Sequence, residues 1–124
     1  MESPTPTRLI GVYDADGTVR GELTYFVKAR FGAAHCALCD ITHGALRERS
    51  DWRACRADLS IPFETYHRDD QPVAVRAAAN GVTPVVVLES SGGFRVLLGP
   101  DELDACAGSP ERLRAMIEAA LVAS

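Results

Sequence analysis

A run of β-branched residues in the second half of the chain restricts its folding more than any other segment does. Residues 84–89 read Pro-Val-Val-Val-Leu-Glu, a pattern typical of a strand inside a sheet. Residues 90–93, Ser-Ser-Gly-Gly, then predict a hairpin turn, and residues 94–98, Phe-Arg-Val-Leu-Leu, predict the partner strand. We therefore expect a sheet in which the first strand of this hairpin is central.

Alternating strand and helix patterns flank the hairpin. The apolar run at residues 9–13 predicts a buried strand, and the period-two alternation at residues 61–67 predicts another. Three helices are predicted, with Ser50, Asp70 and Ser109 as their N-caps. The predicted helices cover residues 50–59, residues 71–79 and a terminal stretch from Pro110, with one or two further helical turns at residues 101–106.

The N-terminal half is less regular. Residues 18–31 fit both helical spacing and strand alternation, with the helix favoured, and residues 32–44 predict a loop. Residues 1–7 predict a disordered lead-in because they hold two prolines and no apolar run, which leaves residues 8–124 as a single domain. The order of elements predicts an α/β domain whose mixed sheet is covered by helices on both faces.

This order of elements resembles the thioredoxin and glutaredoxin fold. Residues 81–88, Gly-Val-Thr-Pro-Val-Val-Val-Leu, look like the family's segment in which a cis-proline opens the third core strand, and Pro84 matches that proline. The glycines at 92–93, Gly99 and the terminal helix follow in the family's order.

The resemblance implies a thioredoxin-like four-stranded mixed sheet with helices on both faces. It also implies that Pro84 lies beside an active-site dithiol. If residues 18–31 form a helix, the Cys- and His-containing segment is a helical insertion before the second core strand; if the segment from Tyr25 is a strand, Cys36 follows it directly, as in the family.

The chemistry-bearing residues of this segment are His35, Cys36, Cys39 and His43. A CxxC spacing brings two sulfur atoms close enough to form a disulfide or to bind one metal ion. In thioredoxins the CxxC sits where the first core strand runs into its helix. Here residues 14–17, Asp-Ala-Asp-Gly, hold that place, and the CxxC comes later in the chain. The residues leave three interpretations open.

The first interpretation is thiol–disulfide exchange. An adjacent imidazolium lowers the pKa of a thiol and favours the nucleophilic thiolate, so His35 would activate Cys36 for attack and Cys39 would resolve the mixed disulfide. A CxxC near a βαβ pattern in a cytosolic protein favours this chemistry. A protein or a small thiol would then be the redox partner.

The second interpretation is a zinc site. The spacing of Cys36, Cys39 and His43 suits three ligands of a tetrahedral Zn²⁺ ion held in a tight loop. The candidates for the fourth ligand are His35, Asp40, His67 and a remote cysteine. Zinc is the one cofactor that the sequence suggests.

The third interpretation makes the thiols of Cys36 and Cys39 inert packing groups, because free cysteines are often buried. Cys55 and Cys106 are predicted to lie in the core on any interpretation, since each stands among apolar or small residues of a predicted helix. His67, which stands near a strand end among charged residues, is predicted to face solvent.

A separate candidate site is a ligand groove formed by Asp14, Asp16, Thr83 and Pro84. Asp14 and Asp16 follow the first strand, and open α/β sheets place their ligands beyond strand ends of this kind. Such a groove would make the protein a non-catalytic module that binds a peptide or a small ligand. The two aspartates also suit simple turn formation and helix capping.

The overall composition excludes several partners. The net charge is −4 and no run of Lys or Arg occurs, which argues against binding to nucleic acid. No apolar run approaches the ~20 residues of a membrane span, and the first residues lack the pattern of a signal peptide, so we expect a cytoplasmic protein. Lys28 is the one lysine among the basic residues, a usage typical of GC-rich bacterial genomes.

Overall fold

The structure of the protein, a computed structural model, describes residues 5–14, 37–42 and 49–123. Within these ranges the protein is a mixed α/β fold with four strands and five helices. In chain order the elements are β1 (Pro6–Val12), α1 (Ala37–Thr42), α2 (Ser50–Ala57), β2 (Phe63–Tyr66), α3 (Val73–Ala78), β3 (Val85–Ser90), β4 (Gly93–Leu98), α4 (Pro100–Ala105) and α5 (Pro110–Ala123).

The four strands form one mixed sheet in the order β2-β1-β3-β4. β1 runs parallel to β2, with Leu9 opposite Phe63, whereas β3 runs antiparallel to both β1 and β4. The predicted hairpin is confirmed, and it turns at residues 91–92. Gly93, which begins β4 directly after the turn, has a φ of 120° that suits glycine. The central position predicted for the Val-rich strand is confirmed as well.

Successive residues of the strands contribute to two different core clusters. Leu9 and Tyr13 of the β1 segment belong to the first cluster, and Ile10 and Val12 belong to the second. The first cluster is completed by Ala37, Leu38, Ile41, Trp52, Cys55, Phe63, Val86, Leu88, Leu98, Leu103, Cys106, Leu113 and Ile117. The second is completed by Val75, Ala79, Val85 and Val87.

The N-terminal boundary of the sheet lies earlier than the sequence predicts. β1 begins at Pro6, and the Thr5 backbone N–H donates to the Ser91 Oγ at 2.9 Å while Thr5 O accepts the Ser91 N–H at 3.0 Å. Residues 6 and 7 therefore belong to the sheet and not to a disordered lead-in, and Thr5 is bonded to Ser91 beside it; residues 1–4 lie outside the described part. A proline is tolerated at the first position of a strand, where it breaks no ladder of hydrogen bonds.

Two of the three predicted N-caps are wrong. Arg49 and Pro72 precede α2 and α3, and neither helix start has a side-chain cap hydrogen bond. Asp70 instead accepts the His67 backbone N–H at 2.6 Å, which closes a turn before α3. The N-cap role predicted for Ser109 is confirmed, because its Oγ accepts the Arg112 N–H at 3.3 Å at the start of α5.

The loop predicted over residues 32–44 contains the helix α1. Ile41 and Thr42 have low helix propensity, but Leu38, Ile41 and Thr42 are all fully buried on this helix. Helices this short gain their stability from tertiary packing, which outweighs local propensity. Residues 18–31, for which the sequence fits helix and strand, lie outside the described residues.

Candidate functional site

α1 carries one half of the CxxC motif. Cys39 lies in the first turn of α1, half-buried against the first core cluster, and Asp40 beside it is exposed. Cys36 directly precedes Ala37, the first residue of α1, in the sequence. Four predicted site residues lie outside the described ranges: Asp16, His35, Cys36 and His43.

α1 packs against the C-terminal half of β1. A β-carbon built on Gly11 would lie 3.1 Å from the Leu38 side chain, so the absence of a side chain at Gly11 lets α1 approach the strand. The buried hydroxyls of Tyr13 and Thr42 are 3.0 Å apart and form a second link between β1 and α1. The helix also contacts α2, α4 and α5.

Arg49 fixes the C-terminal end of α1. Its backbone N–H donates to Thr42 O at 2.8 Å, and its Nη1 donates to Asp40 O at 2.9 Å. The same Nη1 donates to Gly108 O at 2.6 Å, and the guanidinium forms a two-point ion pair with Asp51. Sequence reasoning missed this arrangement, because an arginine that bonds distant carbonyls has no characteristic spacing.

Polar groups beyond the ends of β1 and β2 and before the start of β3 meet at Asp14, the residue after Tyr13. The Thr83 Oγ1 donates to Asp14 Oδ1 at 2.9 Å, and Arg68 Nη1 lies 3.5 Å from the same oxygen. The Thr83–Pro84 peptide bond is cis, as the resemblance implies, and Pro84 is buried. The structure therefore brings together three of the four predicted groove residues, Asp14, Thr83 and Pro84. The fourth, Asp16, lies outside the described residues.

His67 is half-buried, whereas the sequence predicts that it faces solvent. Its side chain is 26% exposed, and its ring centroid lies 5.4 Å from that of Tyr13. The His67 Nδ1 lies 3.4 Å from Asp70 Oδ2. The reason is the register of the sheet: the Tyr13 N–H donates to Tyr66 O at 2.9 Å, which brings the two chain segments side by side.

Cys55 and Cys106 are core residues, as predicted. Their side chains are 7% and 0% exposed, and burial raises the pKa of both thiols. The Cys106 Sγ donates to Glu102 O at 3.4 Å. Since the thiolate is the reactive form of cysteine, both thiols are poor nucleophiles. Cys55 and Cys106 form no disulfide within the described ranges.

The zinc hypothesis concerns residues that mostly lie outside the described ranges. Of the four principal ligand candidates, Cys39 alone is described, and it stays a predicted ligand. Among residues 5–14, 37–42 and 49–123, no three His, Cys, Asp or Glu side chains are grouped so that they could hold a metal ion.

Comparison of the chain with family models, with curated proteins and with solved structures finds no match. In the described ranges, no helix is both long enough and apolar enough to cross a membrane.

Proposed function

We propose that this protein is a cytoplasmic thiol–disulfide oxidoreductase of thioredoxin-like fold, with Cys36 as the attacking thiol and Cys39 as the resolving thiol. One observation carries the proposal. α1, which bears Cys39, is bonded through Thr42 to Tyr13, and the next residue, Asp14, is bonded to Thr83, which precedes the cis-proline Pro84. These contacts support a dithiol close to Pro84, although the CxxC comes late in the sequence.

The packing of the sheet supports the thioredoxin-like fold. Neighbouring residues of a strand point to opposite faces of a sheet. Ile10 and Val12 pack with Val75 of α3, whereas Leu9 packs with residues of α1, α2, α4 and α5. This division supports a sheet that is covered by helices on both faces, as the resemblance to thioredoxins implies.

The exposure of the cysteines supports the CxxC as the reactive pair. Cys39 is half-buried, whereas Cys55 and Cys106 are buried and have raised pKa values. Thiol exchange requires a thiolate that another sulfur can reach. Cys39 meets the access requirement, and the two core cysteines do not.

The proposed reaction reduces a disulfide on a protein or a small molecule. The Cys36 thiolate, having lost its proton to solvent, attacks one sulfur of the substrate, and the other substrate sulfur leaves and takes up a proton. The Cys39 thiolate then attacks the Cys36 sulfur and releases the second substrate thiol. Two electrons pass from the two cysteines to the substrate, and an external dithiol must reduce the Cys36–Cys39 disulfide before the next turnover.

The test is disulfide mapping after exposure to glutathione disulfide. In the wild-type protein we expect Cys36 and Cys39 to lose their free thiols together and to regain them with dithiothreitol. Cys39→Ser should stop at a stable mixed disulfide between glutathione and Cys36. Cys55→Ala is the matched control, and it should still form the Cys36–Cys39 disulfide.

Two results would overturn this function. About one zinc ion per purified chain, with Cys36 and Cys39 shielded from alkylation until a chelator is added, would establish the zinc site instead. Absence of both the disulfide and the metal would make the two thiols inert packing groups.

The groove around Asp14 and Thr83 supports a second candidate function, a binding module without catalysis. The carboxylate of Asp14 is held by Thr83 and Arg68 at the ends of three chain segments, where α/β sheets place ligands. A module of this kind would bind its peptide or small ligand equally well after Cys36→Ser and Cys39→Ser substitution.

A further inference from the structure

We propose that two copies of this chain associate through β4, with the open edge of each strand pairing antiparallel to β4 of the second copy. The sheet order β2-β1-β3-β4 places β4 at one side of the sheet, next to β3 alone among the described strands. An edge strand presents a row of peptide N–H and C=O groups that can bind a further strand. The inference is independent of the thiol chemistry proposed above, because it involves none of the cysteines.

The outer edge of β4 is accessible. β4 has six residues in an antiparallel ladder with β3, and alternate residues of such a ladder direct their peptide groups away from the partner strand. In the part of the chain that the structure describes, no backbone hydrogen bond from outside this hairpin ends on residues 94–98. Val96 is 39% exposed, although Val87 opposite it is fully buried. Peptide groups and an apolar side chain of β4 are therefore open to a second strand.

The opposite edge of the sheet is less suited to pairing. β2 has four residues, and the carboxylate of its Glu64 forms an ion pair with Arg8 of β1. Short edge strands and charged side chains are features that discourage the addition of a strand. β4 is longer, and Arg95 is its one charged residue. We therefore assign the contact between copies to β4 rather than to β2.

Arg95 restricts how two β4 strands can pair. In a pair with two-fold symmetry, the same residues meet across the axis in both copies. An axis at Arg95 would place two like charges directly opposite each other, which destabilises a sheet. An axis at Val96 gives the longest pairing within residues 94–98, with Val96 opposite its counterpart and Arg95 opposite Leu97 of the second copy. Leu97 is the extra residue of a β-bulge, so the joined sheet gains twist on either side of the axis.

The side chain of Arg95 projects toward the face of the sheet that carries α4. Arg95 pairs with Leu88 of β3, and Leu88 belongs to the first core cluster together with Leu103 of α4. Directly opposed residues of a sheet point to the same face. A two-fold axis perpendicular to the sheet keeps this face common to both copies. Each Arg95 therefore lies on the same face as α4 of the second copy.

The start of α4 supplies the complementary charge. α4 begins two residues after Leu98, the last residue of β4, and its first turn contains Asp101 and Glu102, which are both exposed. Antiparallel pairing brings the middle of each β4 next to the end of the other, so Arg95 of each copy approaches this acidic turn of the second copy. Among the described residues, Arg95 and the two acids form no ion pair within their own chain. The contact joins opposite charges, whereas the net charge of −4 on each chain opposes association elsewhere.

The first experiment reverses the charges on each side of this contact. Native mass spectrometry and sedimentation in dithiothreitol should show wild-type dimers whose fraction rises with protein concentration. Arg95→Glu should raise the dimer dissociation constant at least about tenfold, because it places a carboxylate against the acidic turn. Asp101→Arg combined with Glu102→Arg should do the same by placing cations against Arg95. Arg53→Glu is the matched control and should change nothing, because α2 packs on β2 at the opposite edge of the sheet.

A mixture of the two charge variants is the decisive measurement. Alone, each variant places like charges together at both contacts of the dimer. In a heterodimer of the Arg95→Glu protein with the Asp101→Arg/Glu102→Arg protein, both contacts join opposite charges. The mixture should therefore form heterodimers at the concentrations at which the wild-type protein dimerises, and this result would also show that both variants are folded.

A cross-link tests the register of the two strands. With the axis at Val96, the β-carbons of the two Val96 residues lie about 4.5–5.5 Å apart, close to the separation in a disulfide. Val96→Cys should link two copies under mild oxidation, with the linked peptides identified by mass spectrometry. Val82→Cys is the control, because Val82 is 46% exposed and precedes β3, so antiparallel pairing places the two Val82 residues at opposite ends of the joined sheet. It should not link the copies.

Three results would overturn the inference. The first is a wild-type protein that stays monomeric at every concentration. The second is a pair of charge variants that dimerise alone as the wild-type protein does, or whose mixture forms no heterodimer. The third is equal cross-linking of Val96→Cys and Val82→Cys, which would place any contact between copies away from β4. None of these outcomes depends on whether Cys36 and Cys39 form a disulfide.

Discussion

Leu38 of α1 packs directly over Gly11 of β1. A β-carbon on Gly11 would come within 3.1 Å of the Leu38 side chain and within 3.0 Å of the Phe63 ring. Gly11 suits this close approach, since a β-carbon at this position would force the Leu38 side chain or the Phe63 ring to shift by a few tenths of an ångström. Gly11 and α1 are therefore coupled through packing, although they lie far apart in the sequence.

Gly11→Ala should destabilise the protein by about 1–3 kcal/mol, because the added methyl group overpacks the space between β1 and α1. The measurement is urea denaturation of Gly11→Ala, Leu38→Ala and the double variant. Leu38→Ala alone should cost about 2–5 kcal/mol through the cavity that it leaves. In the double variant the combined cost should be smaller than the sum, since removal of Leu38 relieves its share of the crowding while the Phe63 ring still contacts the new methyl group. Strict additivity would show that the two residues do not share this space.

The hydrogen bond between Tyr13 and Thr42 should contribute measurably to the docking of α1. Tyr13→Phe removes a buried hydroxyl that lies 3.0 Å from Thr42 Oγ1, and we expect a loss of about 1 kcal/mol. Tyr66→Phe on the neighbouring strand is the control, because it deletes the same group from a half-buried side chain; it should change stability by less than about 0.5 kcal/mol. Equal losses from both substitutions would contradict a specific role for the Tyr13 hydroxyl.

The hairpin, the central strand and the terminal helix could be predicted from the sequence because each has a strong local signal. The Val-rich run, the Ser-Gly turn and the Ser109–Pro110 helix start are patterns in which propensity and packing agree. The cis bond before Pro84 followed from the resemblance to thioredoxins. Burial of Cys55 and Cys106 followed from their apolar neighbours.

The elements around the candidate site could not be predicted in the same way. α1 is too short to show a helical period, and Ile41 and Thr42 argue locally against a helix. Its packing on the sheet involves Gly11, which is distant in the sequence. The contacts of Arg49 are equally non-local, since they end on backbone carbonyls that any residue type supplies. Neither α1 nor the contacts of Arg49 could be predicted, because tertiary contacts and not local sequence decide the structure around α1.

The ion pair between Arg49 and Asp51 should make stability depend on acid pH. The hydrogen bond from Arg49 lowers the pKa of Asp51 below its ordinary value of 3.8. A depressed folded-state pKa contributes stability above the unfolded-state pKa, and this contribution is lost as the pH falls through the folded-state value. Wild-type protein should therefore lose more stability than Asp51→Asn when the pH is lowered from about 6 to about 3. Denaturation curves at both pH values give the difference, and identical losses would show that the pair contributes nothing.

The three described thiols should differ strongly in reactivity. Cys55 and Cys106 are buried, and burial raises the pKa of each above its ordinary value of 9.0, so few thiolates are present near neutral pH. Cys39 is half-buried on a helix whose stability depends on a few contacts, and iodoacetamide should modify it at least about tenfold faster than either core cysteine at about pH 8. Mass spectrometry of peptides taken at increasing times gives the three rates. In urea the three rates should converge, because unfolding removes the protection of the core. Equal rates in the folded protein would mean that Cys39 is as well protected as the core thiols, which would contradict its role as a resolving thiol.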